Sequence, residues 1–303
     1  MGAADVVPGV SGGTIAFITG IYEKLVAAID GLDKNLFHTL FKEGIKKSFQ
    51  KYQLDFLSVL FMGILVSILS FARLITYLLE YKPLYVWGFF FGLILASIVY
   101  LMKDIKQWRL SYLLFFLLAA AAAYSITILT PAQSDGVWWY LLLSGMIAII
   151  AMILPGISGA FILLLLGSYE YVITAVKGIT DAAIAADVQN FMKHFKTIAI
   201  FAVGAIIGLK LFSKILNWLF KNYKEVTLVI LIGFMTGSLN KIWPWKNTLS
   251  TRINSHGNEI PFIQESVLPT NFEGQPELAW VFLFIALGIT ILFAMEWLAK
   301  RLS

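Results

Sequence analysis

One phrase occurs twice in this chain, and it is a phrase that breaks helices. Pro8-Gly9-Val10-Ser11-Gly12, followed by Gly20 and Tyr22-Glu23, recurs 147 residues later as Pro155-Gly156-Ile157-Ser158-Gly159, followed by Gly167 and Tyr169-Glu170, without a gap. Proline removes a backbone donor and glycine tolerates unusual dihedrals, so each copy should end one helix and start another. Recurrence at a single spacing points to a doubled architecture with a paired site.

The breaks sit in apolar surroundings. Of 303 residues, 59% are hydrophobic and 14% charged, with a mean hydropathy of +0.81. The apolar runs are long enough to cross a bilayer, which defines a multi-span membrane protein. The absence of cysteine excludes disulfide scaffolds, thiolate metal sites and cysteine nucleophiles. A net charge of +5 is assigned to loops held against anionic lipid, because no Lys/Arg stripe with interleaved aromatics points to nucleic acid. Residues 1–10 lack the basic start of a cleavable signal.

Apolar runs predict a helical stretch at about 12–30 and spans at about 54–79, 84–102 and 110–130. The second half copies this order, with a helix at 137–153, a motif helix at 158–176, and spans at 197–220, 225–240 and 278–299. Only seven residues precede Pro8, so the counterpart of helix 137–153 is expected to be missing from the first half. A shift of 141 residues also sets Gly63 on Gly204, Phe71 on Phe212, Arg73 on Lys214, Gly92 on Gly233 and Ser97 on Ser238.

Stretch 137–176, at about 1.5 Å per residue, is roughly twice the length of one crossing and is expected to fold back as a re-entrant hairpin. Three spans then separate the hairpins, and an odd number of crossings inverts the second repeat relative to the first. The expected fold is an all-α polytopic membrane protein of two inverted repeats, 1–136 and 137–303, each a broken hairpin followed by three spans, in a single domain. Lys34, Lys42, Lys46, Lys47, Lys51, Lys103, Lys106, Arg109, Lys221, Lys224, Lys300 and Arg301 fall on one side of this topology, which the positive-inside rule makes cytoplasmic. Loop Thr130–Gly136 and the segment 241–277 fall on the other.

A break inside the hydrocarbon layer is tolerated only where it is buried in protein or lines a polar cavity. Ser11 and Ser158 are natural N-caps, and the first turns after them contain no Asp or Glu, so backbone donors are left for water or an anion. Two half-helix N-termini converging near mid-membrane suit a phosphate or carboxylate, with Ser11, Gly12, Gly13, Thr14, Ser158 and Gly159 as the cradle. Tightly packed kinks are the alternative. Arg73 and Lys214 lie inside spans, where an ionised side chain is costly; they either guide an anionic headgroup, with Lys210 in support, or snorkel to headgroups. Glu23 and Glu170 follow the motif serines by twelve residues, about 18 Å of helix, which sets them near opposite interfaces. With Asp5 they are candidates for proton coupling; interfacial belt residues are the alternative.

Gly9-Val10-Ser11-Gly12-Gly13 also satisfies the string of a serine nucleophile and is similar to the motif of rhomboid-like intramembrane serine proteases. Against that, His38, His194 and His256 are all expected in loops, and one nucleophile leaves the second serine unexplained. Phosphate-loop and metal-site patterns are missing, and no cofactor is expected.

The stretches Ala4-Asp5-Val6-Val7-Pro8-Gly9-Val10-Ser11-Gly12-Gly13-Thr14 with Gly20-Ile21-Tyr22-Glu23, and Leu154-Pro155-Gly156-Ile157-Ser158-Gly159 with Gly167-Ser168-Tyr169-Glu170, resemble the two signatures of a bacterial membrane family. It was first known as domain of unknown function 368 and is now regarded as polyprenyl-phosphate transporters. The resemblance implies a flippase of the bacterial inner membrane that returns undecaprenyl phosphate, the carrier lipid of cell-wall biogenesis, from the outer to the inner leaflet. A secondary transporter of small soluble anions would need the same cradle without a lateral opening.

Overall fold

A computed structural model describes residues 1–7, 10–33, 35–132, 136–253 and 259–302. Pro8, Gly9, Lys34 and His256, on which sequence expectations fell, lie outside the described residues, as does part of the Thr130–Gly136 loop. The chain is 77% helical. Six described helices are long and apolar enough to cross a membrane, or up to eight if each of two sharply bent pairs is one span. This is a multi-pass helical membrane protein.

In the first half, α1 (Gly2–Asp5) leads to the motif helix α2 (Gly12–Ile18) and then α3 (Tyr22–Gly31). Two short amphipathic helices, α4 (Asn35–Lys42) and α5 (Ile45–Lys51), precede the spans α6 (Leu54–Tyr81), α7 (Pro83–Met102) and α8 (Leu110–Ile128). The second half runs α9 (Trp138–Ile153), α10 (Gly159–Leu165), α11 (Tyr169–Ile184), α12 (Val188–Asn222), α13 (Lys224–Ser238) and α14 (Leu278–Leu302). The order α2, α3, α6, α7, α8 is thus repeated by α10 to α14.

The motif helices are shorter than the sequence suggested. Neither runs on to its glutamate: α2 and α3 meet at 117°, α10 and α11 at 110°. The corners are Gly20 (φ +73°) and Gly167 (φ +64°), in the left-handed region that favours glycine. The expected 18 Å of continuous helix between motif serine and glutamate is therefore replaced by a single half-helix and a corner. After the second break the chain does fold back on itself. The Leu165 carbonyl accepts from Ala132 N–H at 2.7 Å, and the Leu166 carbonyl from the Tyr140 hydroxyl at 2.8 Å. The end of α10 therefore lies beside the start of α9, as a re-entrant hairpin requires.

The 141-residue offset reappears in the packing. Gly92 of α7 lies so close to the Ile285 carbonyl of α14 that an added Cβ would collide with it. Gly233 of α13 faces the Phe116 carbonyl of α8 in the same way, at 2.6 Å from where its Cβ would stand. Each half thus lends its last span to the middle span of the other, and small residues let the backbones approach. Gly233→Val should cost about 1–3 kcal/mol through overpacking, read as a lower melting temperature in detergent. The main hydrophobic core draws on both halves, from Ala4 to Leu292, and a smaller separate cluster of Ala151, Ile157, Ile162 and Leu165 surrounds the second break.

Contacts sort the connections onto two faces. On one, Lys224 pairs with Glu23 at 2.7 Å and the Tyr112 hydroxyl donates to Glu225 at 3.0 Å. On the other, Asn240 donates to Thr127 at 2.7 Å and the Trp245 indole to the Pro276 carbonyl at 2.8 Å. Segment 241–277, read from sequence as a loop, carries an antiparallel hairpin of β1 (Lys246–Ile253) and β2 (Glu259–Ser266). Its register holds Arg252 opposite Ile260.

Candidate functional site

The two motifs touch. The Ser11 hydroxyl donates to the Met152 carbonyl at 2.8 Å, the Tyr22 hydroxyl to the Ile153 carbonyl at 3.1 Å, and Gly156 N–H to the Thr14 hydroxyl at 2.8 Å. The first two bonds satisfy carbonyls that α9, ending at the break, cannot pair internally. Gly156 adopts φ +91° and packs against Ser238 and Met235 of α13. Gly13 lies against the Ile153 carbonyl with no room for a Cβ.

At the first copy the backbone donors are already used. Gly12 N–H donates to an Asp5 carboxylate oxygen at 2.6 Å, Gly13 N–H to the Ser11 hydroxyl at 3.1 Å, and Thr14 N–H to the Ser11 carbonyl at 2.9 Å. The sequence expectation that the α2 terminus awaits an outside anion is corrected: Asp5, at the end of α1, supplies the negative charge that the helix terminus favours. Ser11 and Thr14 are 1% and 0% exposed.

The second copy differs. Ser158 makes no side-chain cap bond, and N–H groups of Gly159, Ala160 and Phe161 have no acceptor among the described residues. Ala160 is exposed and Gly159 partly so. Of the two motif helix termini, one is sealed and the other is open.

Arg73 and Lys214 take equivalent places on α6 and α12, but both side chains are exposed and neither has a polar partner among the described residues. The structure does not bring them together with the buried serines. Lys210 is instead a helix cap: its ammonium donates to the carbonyls of Ile29, Asp30 and Leu32 at the end of α3, where a cation meets the negative end of the dipole. Glu23 pairs with Lys224, and Glu170 with Arg252 at 3.7 Å, on the opposite faces. Asp5 alone among the three acidic candidates reaches a motif.

Sequence reading missed three basic residues of segment 241–277, two of which reach the second hairpin. The Lys241 ammonium stands over the Phe161 ring at 3.9 Å, and the Arg252 guanidinium over the Tyr169 ring at 5.1 Å. The Lys246 ammonium lies over the Trp87 ring at 3.9 Å and donates to the Lys241 carbonyl at 2.5 Å. Burial first, and then the Lys241 charge, hold the Lys246 ammonium well below the usual lysine range.

The serine arrangement is not that of a nucleophile. Ser11 spends its proton on a carbonyl. His38 lies in α4 and His194 in α12, rather than in loops as expected from sequence, and neither is bonded to a motif serine. Lys24 stands over the Phe56 ring at 4.6 Å.

Fold and site together define a multi-pass membrane protein built on two broken hairpins that meet through their helix ends. The chain belongs to the VCA0040-like, undecaprenyl phosphate translocase-like family, which it matches over residues 1–260. It is 46% identical over 297 residues to a polyprenyl-phosphate transporter of Vibrio cholerae, covering 96% of this chain and 92% of that one. A polyprenyl-phosphate transporter of Staphylococcus aureus is 30% identical over 258 residues, covering 80% of this chain and 83% of its relative. No solved structure matches. Family and relatives place the chain among transporters rather than enzymes.

Proposed function

We propose that this protein moves undecaprenyl phosphate from the outer to the inner leaflet of the bacterial inner membrane by alternating access. Direct contact between the motifs carries this reading. Thr14 and Gly156, 142 residues apart, tie one half-helix terminus to the other break, so a phosphate held there would touch both halves of the repeat. A lipid monophosphate needs an anion cradle for its head and apolar walls for its tail. Ser158 and Gly159 offer the open half of the cradle, and Ser11, Gly12, Gly13 and Thr14 the closed half.

In this reading the halves are inverted repeats that rock around the motif contact, and the second hairpin opens toward the outer side. Asp5 holds the α2 terminus while no phosphate is there, and is the group best placed to couple a proton. Glu23 and Glu170 act at the surfaces as paired charges that open and close with the two faces. Arg73 and Lys214, exposed on opposite repeats, steer the headgroup during its approach.

Reconstituted vesicles with undecaprenyl phosphate in one leaflet test the function directly. The lipid should change leaflets only with protein present, and inorganic phosphate or small carboxylates should compete weakly. Strong competition and transport of the small anions would favour the soluble-anion alternative. Arg73→Glu and Lys214→Glu should each slow flipping about tenfold while the protein stays in the membrane; unchanged rates in both would refute the steering role.

A further inference from the structure

Lys241 and Lys246 lie close together with no acidic partner among the described residues. Two ammonium groups in one partly buried place repel each other and lose hydration, a cost that is offset when a dianion binds between them. The aromatic faces beneath them, Phe161 and Trp87, hold the cations in position but leave their charge uncompensated. Lys246 uses one of its three donors on the Lys241 carbonyl, and the other two remain.

The surroundings extend this cation pair in two directions. Phe161 is the third residue of α10, so Lys241 stands beside the terminus whose N–H groups lack acceptors. On the other side, Trp87 is followed one turn along α7 by Phe91, whose ring meets Trp243 at 5.4 Å. Phe91, Trp243, Val267 and Leu268, with Asn240 and Ser266, line a shallow, open cavity of about 370 Å3. Asn240, next to Lys241 in the chain, lines this mainly apolar cavity and links it to the cation pair.

We infer that Lys241 and Lys246 form a receiving site for a phosphomonoester dianion on the face carrying segment 241–277, with the Phe91–Trp243 cavity taking the first carbons of its chain. The inference rests on the proposed transport of a prenyl phosphate, and adds an entry site that precedes the paired cradle. The ammonium pair captures the headgroup before it reaches the contact between the two motifs.

Calorimetric titration of the full chain in nanodiscs tests this, with a short-chain prenyl monophosphate and inorganic phosphate as probes. Lys241→Gln and Lys246→Gln should each weaken prenyl-phosphate binding about 10- to 100-fold, the range for losing one charged hydrogen bond. Lys241→Arg and Lys246→Arg should retain most of it, and Lys193→Gln, exposed on α12, should leave it unchanged. Equal elution volumes and melting temperatures exclude misfolding as the cause. Native affinity in both glutamine variants overturns the inference and leaves the proposed function standing, whereas a native chain that binds no prenyl phosphate overturns both. Inorganic phosphate binding as tightly as the prenyl compound keeps the dianion site but refutes its lipid source.

Discussion

Gly13→Ala will pry the two motifs apart and abolish most transport while the protein still inserts in the membrane. The new Cβ would collide with the Ile153 carbonyl, and neither group can move alone, because both belong to helix ends fixed by backbone hydrogen bonds. Separation would also stretch the adjacent bonds from Ser11 to Met152 and from Gly156 to Thr14, at 2.8 Å each. Overpacking of this kind costs about 1–3 kcal/mol, and each weakened bond adds about 1 kcal/mol. The flipping rate should fall at least tenfold, and the Gly156 amide should exchange its hydrogen faster. Gly63→Ala is the matched control: no atom lies within 4 Å of where its Cβ would stand, and alanine favours the helix by about 1 kcal/mol. Equal behaviour of the two variants would show that the motif contact is not part of the transport cycle.

That contact was legible in the sequence as a doubled break, because hydrocarbon restricts what an interrupted helix can do. Span positions followed from the same restriction. The bends at Gly20 and Gly167 were not read, since a glycine in an apolar helix serves equally as a packing notch or a corner, and only tertiary contacts choose between them. Arg73 and Lys214 do occupy equivalent positions, as the repeat alignment implied. Their outward direction was hidden because α6 is apolar around most of its circumference, and periodicity then gives no rotational phase.

Lys241, Lys246 and Arg252 were missed for a different reason. They lie in a polar segment whose reach depends on the β1–β2 pairing. A signal existed: 246–253 carries Thr248, Thr251 and Ile253, 259–266 carries Ile260, Phe262 and Ile263, and the two flank a polar stretch, which is a hairpin pattern. Even so, placing Arg252 over Tyr169 required knowing where that hairpin docks, and placing Lys241 over Phe161 required knowing how the turn that continues α13 packs against α10. The acceptor for α2 was hidden similarly. Asp5 precedes the break by three residues, and whether its carboxylate reaches forward to Gly12 or faces away depends on the turn between them.

Asp5 is where charge and transport should separate most clearly. Asp5→Ala removes the acceptor 2.6 Å from Gly12 N–H and leaves a buried donor unpaired, at a cost of about 1–3 kcal/mol. Asp5→Asn keeps an oxygen that can accept the same bond, so its melting temperature should stay near the native value. Both variants lack the negative charge at the α2 terminus, and neither can take up a proton there. If Asp5 yields its place to the incoming phosphate by protonation, the asparagine variant will fold normally yet flip undecaprenyl phosphate at a rate that no longer responds to a pH gradient across the vesicle. The alanine variant will lose both stability and most of its transport. Native gradient dependence in Asp5→Asn would reduce Asp5 to a helix cap, and any proton coupling would then fall to Glu23 or Glu170, whose ion pairs with Lys224 and Arg252 lie on the two faces.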